Sequence, residues 1–199
     1  RALSAAAGAA LVGLGTLAVK AGQTADDLNT LAQQTGFSTE ELQKMNYAAD
    51  RIDVSMETIT AAASKMTKTL ASSESKFTSL GVATRNSDGS FRDVNAIFYD
   101  TITALSQIEN STERDTAAMD IFGKSANELA GIIDDGGAAL RTFGQEAEDA
   151  GLILSQDALN SAQEFNDKID ELKAKCEQAF LSVGAELADT LIPALEKLV

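Results

Sequence analysis

The chain has 199 residues, of which 44% are hydrophobic and only 5% aromatic, with one proline, one cysteine and no histidine. One cysteine cannot form an intramolecular disulfide, and the cysteine count and the lack of histidine predict no metal site and no cofactor. The net charge of −14 disfavours direct binding to nucleic acid, because an acidic surface repels phosphates.

The N-terminal segment carries no charged residue from Ala2 to Val19, a length near the lower limit for a membrane-spanning helix. Two interpretations remain open. The segment either packs as a small-residue helix against other helices or inserts into a membrane after release. Its larger apolar residues, which are the candidate membrane contacts, are Leu3, Leu11, Val12, Leu14, Leu17 and Val19.

Two amphipathic helices are predicted next. The first begins at a capping box in which Ser38 is the N-cap and Glu41 reaches back. The second begins after Ser55 and is closed by Gly81 as its C′ residue. Apolar residues alternate three and four apart along both helices, which is typical of a helix with one buried face. These residues are Leu42, Met45, Ala49 and Ile52, and then Met56, Ile59, Ala63, Met66 and Leu70.

The segment Asn86–Gly89 predicts a tight turn, because Asn, Asp and Gly tolerate positive φ. Its spacing partly matches a calcium loop, but the first aspartate and the final bidentate glutamate are missing. We therefore expect a small hairpin or tight loop near residues 82–92, with Val82 and Phe91 pointing inward.

The following segments predict three more helices. One begins at Asp93 and ends near Asn110. A second is capped by Ser111 or Thr112 and ended by Gly123. A third follows a capping box over 125–128. The first presents Val94, Phe98, Ile102 and Leu105 on one face. Gly123-Lys124-Ser125 lacks the earlier glycine and the preceding strand of a phosphate loop, and 134–137 is a solvated break.

The C-terminal segment predicts a long amphipathic helix after Ser155. Its apolar residues alternate four and three like a coiled-coil seam, and the lone cysteine is a small hydrophobe within it. The predicted seam is Phe165, Ile169, Leu172, Cys176, Ala179, Val183 and Leu187. We expect this seam to pack on the helices over 56–70 and 94–108, or on copies of itself.

Five blocks occur in order between residues 35 and 195. They are Thr35–Leu42, a helix like Ile59–Leu70, a Leu80–Asp93 hairpin, Phe122–Ser125 and a long helix from Asn166 to Pro193. In this order the chain resembles the core of phage tail tape measure proteins. The resemblance lies in the ordered set and not in any single block.

The resemblance implies a structural, non-enzymatic protein of the virion tail lumen, made in the host cytoplasm. It would set tail length and assist tail assembly and genome ejection. The implied partners are the tail tube protein, a tail assembly chaperone and tail tip or baseplate proteins, with homo-oligomers and the host membrane as further candidates. The competing hypothesis is a membrane-active or pore-forming secreted helical protein, favoured by the N-terminal segment.

We expect an all-α fold with extended helices, divided into an Ala/Gly-rich helix and polar extension over 1–34, a helical core over 35–154, and a long amphipathic helix over 155–199. The whole chain reads as a piece of a longer protein. An enzyme is disfavoured because only carboxylates remain for acid–base chemistry, and no pair of them is suitably spaced.

Overall fold

The computed structural model describes residues 24–165 together with 167, 168, 170, 171, 174, 175 and 178. Every regular element within these residues is a helix, which confirms the all-α expectation. In chain order they are α1 (24–35), α2 (Thr39–Ala49), α3 (Met56–Ser72), α4 (Ser75–Thr78), α5 (Val94–Ser106), α6 (Ser111–Phe122), a 3-10 helix (Gly123–Asn127), α7 (Ala130–Asp134), α8 (Ala138–Asp149) and α9 (156–165).

The chain divides into two units. Asp27–Gln156 form one compact unit. The described residues on either side of it belong to the other, in which Gln163 Nε2 donates to Asp26 Oδ1 at 2.5 Å. The same unit contains an ion pair between Lys175 and Glu171, one turn apart on a helix.

Three of the predicted helix starts are confirmed by side-chain caps. The Ser38 hydroxyl accepts from the Glu41 amide at 3.1 Å, and the Ser55 hydroxyl accepts from the Thr58 amide at 3.0 Å. The Asp93 carboxylate accepts from the Ala96 amide at 3.0 Å. Each cap satisfies a first-turn amide that has no partner inside its helix, which is worth about 1 kcal/mol.

The core of the compact unit is organised by α5, whose buried face meets α3, α6 and α7. At its centre the Phe98 ring makes edge-to-face contacts with Phe37 and Phe122, at centroid distances of 5.2 and 5.7 Å. The predicted stripes supply nine further core residues. Their buried members are Leu42, Met45, Ala49, Ile59, Ala63, Met66, Leu70, Ile102 and Leu105.

The connector between α3 and α5 differs from its prediction in two places. The α3 helix ends at Ser72, and the short helix α4 follows before Gly81. Gly81 at φ +78° therefore ends α4, where the Gly81 and Val82 amides donate to carbonyls of its last residues at 3.0 Å. The apolar stripe itself stops at Leu70, and α3 ends two residues later, where the Ser72 hydroxyl donates to the Lys68 carbonyl at 2.9 Å.

The tight loop itself is confirmed. The Gly89 amide donates to the Asn86 carbonyl at 3.0 Å, and a single antiparallel bridge joins Arg85 to Phe91. Val82 is buried as expected. The inward position predicted for Phe91 is wrong, because its ring is 46% exposed and lies under the Arg85 guanidinium at 4.2 Å.

Two further predicted boundaries are wrong. The α5 helix ends at Ser106, and Asn110 is the N-cap of α6 in place of Ser111 or Thr112. The Asn110 side chain accepts from two first-turn amides, at 3.0 and 3.2 Å. Gly123 does end α6, at φ +67°.

The expected capping box over 125–128 is also wrong, because the chain forms the 3-10 helix there and α7 has no side-chain cap. The Glu128 carboxylate instead accepts from the Thr58 hydroxyl, in the first turn of α3. A carboxylate at that position interacts favourably with the positive end of the helix dipole.

Candidate interaction surfaces

One polar cluster of the compact unit joins α2, α5 and α8. The Tyr99 hydroxyl donates to Glu41 Oε1 at 2.6 Å, so Glu41 is held by Tyr99 and does not reach back to Ser38 as predicted. The Arg141 guanidinium lies 4.8 Å from the Tyr99 ring centroid and donates to the Thr103 hydroxyl at 2.9 Å. We call Glu41, Tyr99 and Arg141 the Tyr99 cluster.

The chemistry of the Tyr99 cluster is suited to holding α2, α5 and α8 together. Burial raises the pKa of the Tyr99 phenol above its ordinary value, and the neighbouring Glu41 carboxylate raises it further. A phenol held neutral in this way is a hydrogen-bond donor and a poor nucleophile. The cluster borders an open cleft of about 300 Å³, in which Glu41 and Arg141 are both already in contact with Tyr99.

A second polar cluster fixes the connector to α4. The Arg85 guanidinium binds both carboxylate oxygens of Glu74, with its Nη2 atom 2.8 Å from Oε2, and the Thr84 hydroxyl also donates to this carboxylate. These hydrogen bonds, Arg85 first, hold the pKa of Glu74 below its ordinary value. Arg85 is exposed and Glu74 is half-buried, so the contact orders the loop at the surface of the unit.

The break before α8 contains a cap that the sequence interpretation missed. The Asp135 carboxylate accepts from the Gly137 amide at 2.7 Å and from the Ala139 amide at 3.0 Å. The N-cap residue of α8 is Gly137, whose φ is +77° and which has no side chain to cap the helix. Asp135, two residues earlier, supplies the capping side chain instead. The predicted solvated turn is an ordered helix start.

The described part of the chain contains no group of three or more histidine, cysteine, aspartate or glutamate side chains arranged for a metal ion. No described helix combines the length and apolar character needed to cross a membrane.

The sequence-predicted site residues fall mainly outside the described residues. Of the predicted seam, only Phe165 is described, and its side chain is 45% exposed. Packing of the seam stays a prediction. The other residues of the predicted seam lie outside the described residues; they are Ile169, Leu172, Cys176, Ala179, Val183 and Leu187. The candidate membrane contacts outside it are Leu3, Leu11, Val12, Leu14, Leu17 and Val19.

One surface was missed altogether by the sequence interpretation. Lys65 and Lys68 are exposed on α3, and Lys124 is exposed in the 3-10 helix beside them. These lysines come from segments more than fifty residues apart, so only the folded chain reveals their proximity.

The comparisons with known proteins found no relative of this chain. No protein-family model, no curated protein and no solved structure matches this chain.

Proposed function

We propose that this chain is part of a phage tail tape measure protein, with a structural and non-enzymatic role in setting tail length and in tail assembly and genome ejection. The observation that carries the proposal is the ordered set of family-like blocks between residues 35 and 195.

The positions of the blocks in the fold support this proposal. Thr35–Leu42 joins α1 to α2, Leu80–Asp93 joins α4 to α5, and Phe122–Ser125 joins α6 to the 3-10 helix. Chain reversals depend on particular residues, such as Gly36 at φ +79° and Gly123 at φ +67°, more than helix interiors do. Blocks at such junctions are therefore better markers of a shared fold than apolar stripes are.

In this proposal the compact unit is a folded module of the tail interior. A ruler needs extended helix, which adds about 1.5 Å of length per residue. The helices over 27–156 pack on one another, so we assign the ruler to other parts of the full-length protein. The module would contact the tail tube, the assembly chaperone or the tail tip.

Mass spectrometry of purified tails from the phage or prophage that encodes the chain tests this role. We expect peptides from residues 27–156 in tails purified before genome ejection. Tails that contain none of these peptides, from particles at every stage of assembly, would overturn the proposal.

A further inference from the structure

Three exposed lysines lie on α3 and directly after α6, at the junction of these two helices. A Cβ atom placed on Gly123 would lie 3.3 Å from Cγ of Lys65, so the Lys65 stem runs directly over this glycine. Lys124 is the next residue, and Lys68 lies three residues after Lys65 on the same helix, where side chains are neighbours. The Thr69 hydroxyl donates to the Ile121 carbonyl at 3.3 Å and holds α3 against the end of α6.

These lysines differ from the other cations of the compact unit, which are all engaged by a carboxylate or by the ring and carbonyl of a tyrosine. The engaged pairs are Lys44–Glu148, Arg51–Tyr47, Lys76–Asp120, Arg85–Glu74, Arg92–Asp100, Arg114–Asp134 and Arg141–Tyr99. Among the described residues, Lys65, Lys68 and Lys124 make no ion pair and no side-chain hydrogen bond.

The missing ion pairs are not explained by a shortage of carboxylates. Residues 27–156 carry 20 acidic and 10 basic side chains. On so acidic a unit, three unpaired lysines at one junction leave a local positive surface within a negative surrounding field.

An apolar residue adjoins this positive surface. Met119 lies one helical turn before Gly123 on α6, and its side chain is 44% exposed. A flexible thioether beside hydrated ammonium groups suits a partner that is both apolar and acidic. We call Lys65, Lys68, Lys124 and Met119 the lysine surface.

We infer that the lysine surface docks an acidic amphipathic helix of another protein chain. Carboxylates on one helix face pair with the three ammonium groups, and an apolar residue of the helix covers Met119. A polyanion such as DNA or an anionic membrane fits less well, because the negative surroundings repel an extended negative charge. Lysine also lacks the planar fork with which arginine grips phosphate in two places.

The test uses the whole chain and a fluorescent synthetic helix of about 18 residues, or five turns. Its glutamates and leucines lie on separate faces. Fluorescence anisotropy at about 50 mM salt, where exposed charges still interact, gives the affinity. We expect saturable binding that weakens at least about tenfold in the triple variant K65E/K68E/K124E. We also expect weaker binding by Met119→Ser, because the leucine face then loses its apolar contact.

Charge-matched and ligand controls decide the outcome. Lys124→Glu should weaken binding several-fold, whereas Lys168→Glu, an exposed lysine outside the compact unit, should leave it within about twofold. Circular dichroism of K65E/K68E/K124E checks that its fold is intact, and K65Q/K68Q/K124Q, which removes the charges without reversing them, should also bind more weakly. Equal binding by wild type and the triple variant would overturn the inference. Tighter binding of a DNA duplex or of phosphatidylserine vesicles through the same lysines would also overturn it.

Discussion

The Tyr99 hydroxyl donates to the Glu41 carboxylate at 2.6 Å and so ties the middle of α5 to the first turn of α2, 58 residues earlier in the chain. The same tyrosine carries Arg141 of α8 on its ring. One side chain therefore holds three helices that the sequence separates widely.

Removing this hydroxyl should destabilise the compact unit. Tyr99→Phe keeps the ring and deletes a hydrogen bond to a charged group, so we expect a loss of about 1.5–3 kcal/mol in urea unfolding. Tyr47→Phe is the matched control, because the Tyr47 ring stacks on Arg51 at 3.3 Å and keeps that contact. Its change should stay within about 0.5 kcal/mol. Equal losses of unfolding free energy in the two variants would contradict the role of Tyr99 in holding the three helices together.

Tyr99 should also make the protein sensitive to alkali. Its folded pKa is raised above the ordinary value of 10.0. Above pH 10 the unfolded chain loses this proton while the folded chain keeps it, so the unfolding free energy falls as pH rises. One such group gives a slope of at most about 1.4 kcal/mol per pH unit. The slope measured between pH 9 and 11 should shrink in Tyr99→Phe and persist in Tyr47→Phe.

The Glu74–Arg85 contact should make the unfolding free energy depend on pH in the acidic range. The folded pKa of Glu74 lies below its ordinary value of 4.5, so its stabilisation is complete above that pH and is lost as pH falls through the folded pKa. The stability gap between wild type and Glu74→Gln should narrow below pH 4.5. In an Arg85→Gln background the same change should show less narrowing, because only the Thr84 hydroxyl then still donates to Glu74. In the wild-type background, a gap that persists into strong acid would refute the pairing.

Phe98 should be among the costliest residues to truncate. It is fully buried and touches Phe37, Phe122 and Tyr99 edge to face. Phe98→Ala should cost about 3–5 kcal/mol, because it removes buried area and leaves a cavity. Phe91→Ala removes an exposed ring with one cation–π contact and should cost no more than about 1 kcal/mol. Thermal unfolding followed by circular dichroism separates the two.

The parts of the fold that were predictable depend on neighbours within about four residues. Ser38, Ser55 and Asp93 each cap a helix whose amides follow immediately, and the apolar stripes repeat with the helix period. Asn110 was missed because three adjacent residues are all good caps, and asparagine ranks with serine there.

The features that escaped prediction depend on distant partners. Glu128 fits the local pattern of a capping box, but its carboxylate accepts a hydrogen bond from Thr58, seventy residues earlier. Glu41 is taken by Tyr99 in the same way. The lysine surface needs α3 and the end of α6 side by side, which no local pattern indicates.

The central claim, that this chain belongs to a protein that measures the phage tail, is tested most directly by tail length. Electron micrographs should be taken of phages with in-frame deletions in extended helical parts of the full-length gene. Removing about 60 helical residues should shorten the tail by about 90 Å, at 1.5 Å per residue. Deleting the compact unit should instead impair assembly or DNA entry. Tails of normal length after the large helical deletion would contradict the proposal.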